Sequence, residues 1–249
     1  MKKLYLYGNL KMNKSKDEMI QYLNGLKNIN VPKNIDVCVF VPFVHVALAE
    51  QYLKDTKINY GVQNISEYES GAYTGEISAD MALSYGVKEV IIGHSERRHI
   101  FKETNEDVAR KLQFALSKGL KVVLCYGETL DERNSGKAKQ VCHEQLKSAL
   151  TNVNSEDLKN IIFAYEPVWA IGTGVVATKS EAREIIADSK EYIASICGHK
   201  DIVIQYGGSV KPNNCVELMS VPEIDGALIG GACLNVDNYN AIINADYFN

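Results

Sequence analysis

Glu166 is the first residue to consider. It closes an apolar run, Phe163-Ala-Tyr-Glu166, and is followed by Pro167, Val168, Trp169, Ala170, Ile171, Gly172, Thr173, Gly174, Val175, Val176 and Ala177. A carboxylate on a rigid element suits a general base. A proline, an aromatic anchor and two glycines behind it suit a lid, because proline fixes φ and glycine frees it. An ordinary strand-to-helix loop is the other reading of the same residues.

Two further segments offer electrophilic partners. In Gly8-Asn9-Leu10-Lys11, strand alternation would put Asn9 and Lys11 on one side and Leu10 on the other. A lysine there is costly to bury unless it meets an anion or a developing negative charge; a solvated surface lysine is the alternative. In Gly93-His94-Ser95-Glu96-Arg97-Arg98, His94 falls at a strand end just before a possible helical turn. The positive end of that turn would disfavour imidazolium, and a neutral imidazole can donate a hydrogen bond to a carbonyl. A structural histidine beside a surface ion cluster fits equally. His99 is five residues away, and the residues around His94 lack metal-ligand spacing.

Anion binding is suggested by two glycine pairs, in Tyr206-Gly207-Gly208-Ser209 and in Ile229-Gly230-Gly231. Backbone N–H groups approach phosphate oxygens closely only where no Cβ intervenes. Either pair alone reads as a tight turn; both, after consecutive strands, favour an anion site. Gly172-Thr-Gly174-Val-Val-Ala177 matches a dinucleotide G-x-G-x-x-A pattern. Six residues, including Pro167, separate it from the strand that it should leave directly, so it is set aside.

These residues need a frame. Apolar β-rich runs recur at Leu4–Asn9, Asp36–Val41, Ile58–Val62, Val90–Gly93, Val122–Cys125, Ile161–Tyr165, Ile202–Tyr206 and Ala227–Gly230. Helical patterns lie between them, among them Glu106–Lys118, Lys137–Leu150, Lys179–Cys197 and Asn213–Ser220, with Thr178 an N-cap and Glu181 three residues on. Strands alternating with helices imply an α/β fold with parallel pairing. Eight such units predict a single (β/α)8 barrel, parallel strands inside and helices outside, although an open doubly wound sheet shares the local signals. No linker or low-complexity tract divides the chain, which predicts one domain over 1–249. In a barrel the strands' C-terminal ends carry the site, and that is where these residues fall.

Composition narrows the function. A net charge of −4 argues against a general nucleic-acid or membrane-surface role, and Arg97-Arg98-His99 is too short to reverse it. The six cysteines (38, 125, 142, 197, 215 and 233) include no C-x-x-C and read as free thiols in a reducing cytoplasm. Met1-Lys2-Lys3 precedes an apolar run broken by Gly8-Asn9 and Lys11, unlike a signal peptide. No run reaches transmembrane length. A soluble cytoplasmic protein is expected.

Taken together, Asn9-Leu10-Lys11-Met12-Asn13, Gly93-His94-Ser95-Glu96-Arg97-Arg98, Ala164-Tyr165-Glu166-Pro167-Val168-Trp169-Ala170-Ile171-Gly172-Thr173-Gly174 and Tyr206-Gly207-Gly208-Ser209-Val210 resemble the triosephosphate isomerase family from end to end. The resemblance implies a TIM barrel that interconverts dihydroxyacetone phosphate and D-glyceraldehyde 3-phosphate through an enediol(ate), without metal or cofactor, in glycolysis, gluconeogenesis and pentose-phosphate-linked carbohydrate metabolism. Carried over by motif, Glu166 is the base, neutral His94 polarises the carbonyl, and Lys11 and Asn9 stabilise the developing charge. The family is itself a well-known worked example of pKa tuning by environment, so these roles come with the resemblance. Backbone N–H groups of Gly172, Ser209, Gly230 and Gly231 would grip the phosphate, and Pro167 to Ala177 would form the lid. The resemblance further implies a homodimer. Gly71-Ala-Tyr73-Thr74-Gly75-Glu76 would bring Thr74 near Asn9 and Lys11 of the other subunit, with Met12 in the pocket of that loop. Glu96 and Arg97 would support the site or interface. Cys125 is expected near the site floor.

One position departs from the family pattern: Leu10 stands where the family generally has Trp. If its side chain points away from substrate, packing changes and chemistry does not. Two other readings are weighed: an aldolase using Lys11 as Schiff-base nucleophile, and a non-catalytic phosphosugar-binding or moonlighting barrel.

Overall fold

The fold follows from alternation within each apolar run. In this computed structural model, which describes residues 2–171 and 177–248, eight strands form one closed parallel barrel in chain order. They are β1 (Leu4–Asn9), β2 (Ile35–Val41), β3 (Ile58–Val62), β4 (Glu89–Ile92), β5 (Lys121–Tyr126), β6 (Ile161–Tyr165), β7 (Ile204–Tyr206) and β8 (Gly226–Ile229). Tyr7, Cys38, Phe40, Ile91, Val123, Cys125, Ile162, Ala164 and Leu228 fill the interior. The alternate residues, such as Leu6, Val37, Val39, Val90, Leu124 and Phe163, pack outward against the helices. Two apolar faces per strand explain why the runs are nearly continuous in sequence.

Closure excludes the open sheet. β8 pairs with β1 through Tyr5↔Gly226 to Gly8↔Ile229, a contact between the two ends of the chain. Around the barrel lie α1 (Lys16–Leu26), α2 (Val46–Leu53), α3 (Ala79–Leu83), α4 (Ser95–His99), α5 (Asn105–Ser117), α6 (Leu130–Asn134), α7 (Ala138–Leu150), α8 (Lys179–Cys197), α9 (Cys215–Met219) and α10 (Val236–Ile243). Threonine caps start three of them. Thr104, Thr129 and Thr178 each form a reciprocal box with Asp107, Glu132 and Glu181, satisfying N–H groups that the first turn cannot pair.

Several predicted boundaries shift. β7 begins at Ile204, not Ile202, where the Asp225 carboxylate accepts the Ile204 N–H at 2.9 Å. α9 is shorter than Asn213–Ser220 because Asn214 Oδ1 turns back to accept the Lys211 N–H at 2.7 Å. β4 starts one residue early, at Glu89, and stops before Gly93. Gly93 has φ +72°, a left-handed conformation that ends the strand and turns the chain towards α4. No described helix is long and apolar enough to cross a membrane.

Candidate active site

The strand ends assemble a cavity of about 640 Å³. Asn9, the last residue of β1, lines it with Lys11, His94, Glu166, Ser209, Gly230 and Gly231. Ala170 and Ile171 border it as well. Pro167 leads into a 3-10 turn over Val168–Ala170, and Ala177 is buried ahead of α8. Gly172, Thr173, Gly174, Val175 and Val176 lie outside the described residues.

Lys11 reaches the cavity by a different route from the one alternation predicts. β1 ends at Asn9, and Lys11 adopts φ +53°, uncommon for a residue with a Cβ. Two side chains fix that conformation. Asn9 Oδ1 accepts the Lys11 N–H at 3.0 Å, and Gln63 Nε2 donates to the Lys11 carbonyl at 3.0 Å. Strain of this kind persists where neighbours over-determine it. Lys11 Nζ lies 2.6 Å from Glu96 Oε1. Leu10 borders the cavity between Asn9 and Lys11, but its side chain is fully buried and packs in the layer between barrel and helices.

His94 is the N-cap of α4, and its Nδ1 accepts the Glu96 N–H at 3.2 Å. An Nδ1 that accepts leaves the ring proton on Nε2, giving the neutral tautomer suited to donating a hydrogen bond. Nε2 lies 2.8 Å from Glu166 Oε1. Glu166 Oε2 accepts the Ser95 N–H at 2.7 Å. Burial alone would raise the Glu166 carboxyl. His94, the Ser95 amide and Lys11 outweigh it and hold the group below the usual carboxylate range. Cys125, fully buried near Glu166, is pushed well up by burial and by the Glu166 charge.

The opposite wall is built from backbone. Ser209 follows β7; Gly230 follows β8, and Gly231 opens a 3-10 turn to Leu234. The first N–H groups of such a turn have no partner within it and can face an anion. Lys11 approaches the same wall: a Cβ on Gly230 would sit 3.5 Å from Lys11 Cε.

Other expected residues lie to one side. Arg97 bridges to Glu103 at 2.6 Å. Met12 is 96% exposed, beside a second cavity of about 290 Å³ shared with Lys11, Gln63, Glu96 and Phe101. Thr74 is exposed on the loop between β3 and α3.

Three groups escaped sequence reasoning. Gln63 is one. Arg98 is another: its Nε and Nη2 donate to the Gly93 and Cys125 carbonyls at 2.7 and 3.2 Å, tying β4 to β5 under the site. The third is Glu128, wholly buried, whose Oε1 accepts from Tyr165 Oη at 3.0 Å and Trp169 Nε1 at 2.9 Å and meets Arg133 Nη1 at 3.2 Å. Gly127-Glu128 directly follow the fifth strand. Applying the strand-end rule there would have found them.

A closed (β/α)8 barrel with a carboxylate, an imidazole and a lysine facing a glycine-bearing wall at its C-terminal mouth is the architecture of a barrel enzyme of small-molecule chemistry. The triosephosphate isomerase family model matches residues 4–246. Triosephosphate isomerase of Mycoplasmopsis pulmonis is 45% identical over 98% of both chains. Those of Alkaliphilus oremlandii and Thermoanaerobacter pseudethanolicus are 42% and 43% identical, over 98% of this chain and 100% of theirs. The chain belongs to the triosephosphate isomerase family and is an isomerase.

Proposed function

We propose that this single-domain protein, residues 1–249, interconverts dihydroxyacetone phosphate and D-glyceraldehyde 3-phosphate with Glu166 as the base. The carrying observation is the Glu166–His94 contact. The carboxylate occupies the Nε2–H that a substrate carbonyl would need, so substrate must displace it. That exchange releases the donor for the carbonyl and frees the base to take the adjacent carbon's proton. Glu166 returns the proton to the neighbouring carbon, and His94 and Lys11 stabilise the enediolate oxygens. Asn9 supports Lys11 through its backbone, and Ser209, Gly230 and Gly231 hold the phosphate, joined by Gly172 in the lid from Pro167 to Ala177. Isolation from water strengthens these charges and protects an intermediate prone to eliminate phosphate. The ion pair between Lys11 and Glu96 supports an electrostatic lysine, and nothing favours the Schiff-base or non-catalytic readings. A cytoplasmic place in glycolysis and gluconeogenesis fits this activity.

Glu166→Asp tests the base. Shortening the arm should lower kcat by about 10²-fold with little change in KM, because a misplacement of about 1 Å costs that much. A coupled assay giving equal rates for the two proteins would remove Glu166 from the role.

The same reading includes a homodimer. Met12, Val44, Ile100 and Phe101 are all more than half exposed, a costly apolar surface around the second cavity. The loop carrying Tyr73 and Thr74 of a second copy would fill it, with Glu96 and Arg97 beneath. Sedimentation should give a dimer at micromolar concentration, with activity lost on dilution through the dissociation range. Full activity in a monomer would overturn this arrangement.

A further inference from the structure

We propose that Gln145 on α7 is a positioning residue for Glu166, acting through the backbone of Gly127. The inference rests on the assignment of Glu166 as the base.

In a parallel strand successive residues direct their N–H and C=O groups to opposite sides. At the end of β5 and just beyond it, Tyr126 and Glu128 face the β6 side. The Tyr126 carbonyl accepts the Glu166 N–H at 2.7 Å, and the Glu128 carbonyl accepts the Val168 N–H at 3.1 Å. The base and the first residues after it are therefore laid along Tyr126-Gly127-Glu128. Gly127 faces the other way, towards β4, whose pairing with β5 ends at Ile92↔Leu124 before Gly93 turns the chain aside. Gly127 is buried, so its two polar groups need partners.

Gln145 supplies both. Its Oε1 accepts the Gly127 N–H at 3.0 Å, and its Nε2 donates to the Gly127 carbonyl at 3.0 Å. One side-chain amide thus reproduces the pair of bonds that a neighbouring strand would make. Contact with the base is tight on the far face. A Cβ on Gly127 would lie 1.8 Å from the Glu166 carbonyl oxygen, so any movement of this peptide transfers directly to the Glu166 backbone. Arg98 anchors the preceding carbonyl, that of Cys125, from the same side. Helix α7 therefore holds the base by a rigid chain of Gln145, Gly127 and Glu166. Among the described residues, Gln145 is not one of those lining the cavity, so its influence on the reaction runs through this placement.

Two substitutions test it. Gln145→Met keeps length and packing and removes both hydrogen bonds. It should lower kcat about tenfold while KM for dihydroxyacetone phosphate stays within about twofold, since the base and not the phosphate wall moves. Gln145→Glu keeps an acceptor but sets a carboxylate against the Gly127 carbonyl. Protonation restores a donor, so its kcat relative to the parent should recover as pH falls from about 8 to about 5.5, whereas that of the Met variant should not. Thermal midpoints measured alongside separate misplacement from unfolding, and the Glu variant serves if the Met variant does not fold. A Met variant within twofold of the parent in kcat, a loss expressed in KM alone, or a Glu variant whose deficit ignores pH would overturn the proposal. These outcomes leave the base assignment standing. That assignment fails separately, if Glu166→Asp matches the parent.

Discussion

Leu10 sits between two candidate site residues, yet its side chain belongs to the packing of the core. Asn9, Leu10 and Lys11 all border the cavity, yet the Leu10 side chain is fully buried in the outer layer of the core. The reason lies in the backbone: β1 ends at Asn9, and the left-handed Lys11 turns its own side chain back to the mouth. Leu10 is therefore expected to act through packing. Replacing it with the larger indole should overpack a closed layer, costing roughly 1–3 kcal/mol, with turnover within a few-fold of the parent. Chemical denaturation and a coupled assay on Leu10→Trp measure both. A tenfold gain in turnover would mean that the side chain bears on the site after all.

Elements were legible where local chemistry decides them. The apolar runs located all eight strands, and Thr178 with Glu181 fixed the start of α8 to the residue, because a capping box is local. Barrel closure was less legible, since β1–β8 pairing joins residues from opposite ends of the chain. At the site, residues at strand ends could be named from pattern, but their supports could not. Gln63, Arg98 and Gln145 act through long-range hydrogen bonds that leave no periodic trace. Glu128 belongs with them: it links Tyr165 on β6, Trp169 in the following turn and Arg133 on α6 through one buried carboxylate. Glu128→Ala would strand the Arg133 charge in part and leave two donors without their acceptor. It should cost about 3 kcal/mol or more in a urea titration. Trp169 is the sole tryptophan, so its fluorescence reports on that turn alone. Quenching by acrylamide should rise in the variant. Unchanged quenching together with unchanged stability would show that Glu128 does not organise the turn.

The barrel has two polar ends, and the proposed site lies at the C-terminal one. At the other, β4 opens with Glu89 inside the barrel, 2% exposed, with Oε2 lacking a hydrogen-bond partner. Burial raises its carboxyl to about 7; Asp36 on β2 adds to the rise, while Lys121 on β5 and the Tyr7 and Cys38 side chains oppose it. Asp36 is itself held by Lys3 at 2.6 Å. The sign follows from proton counting. Between pH 4.5 and about 7 the native state keeps a proton that the unfolded chain has released, so stability from this group is full below that window and falls as pH rises through it. Above pH 7 the folded barrel carries a buried charge, at a cost on the order of 3 kcal/mol. Glu89→Gln removes that charge while keeping the shape. It should therefore raise the unfolding free energy at pH 8 and lose most of that advantage by pH 5, with isomerase turnover unchanged because the site lies at the opposite mouth. Urea titrations of both proteins at the two pH values decide the matter. A variant equally destabilised at pH 5 and pH 8 would mean that Glu89 serves the barrel as a hydrogen-bonded anion, and that its burial is stabilising after all.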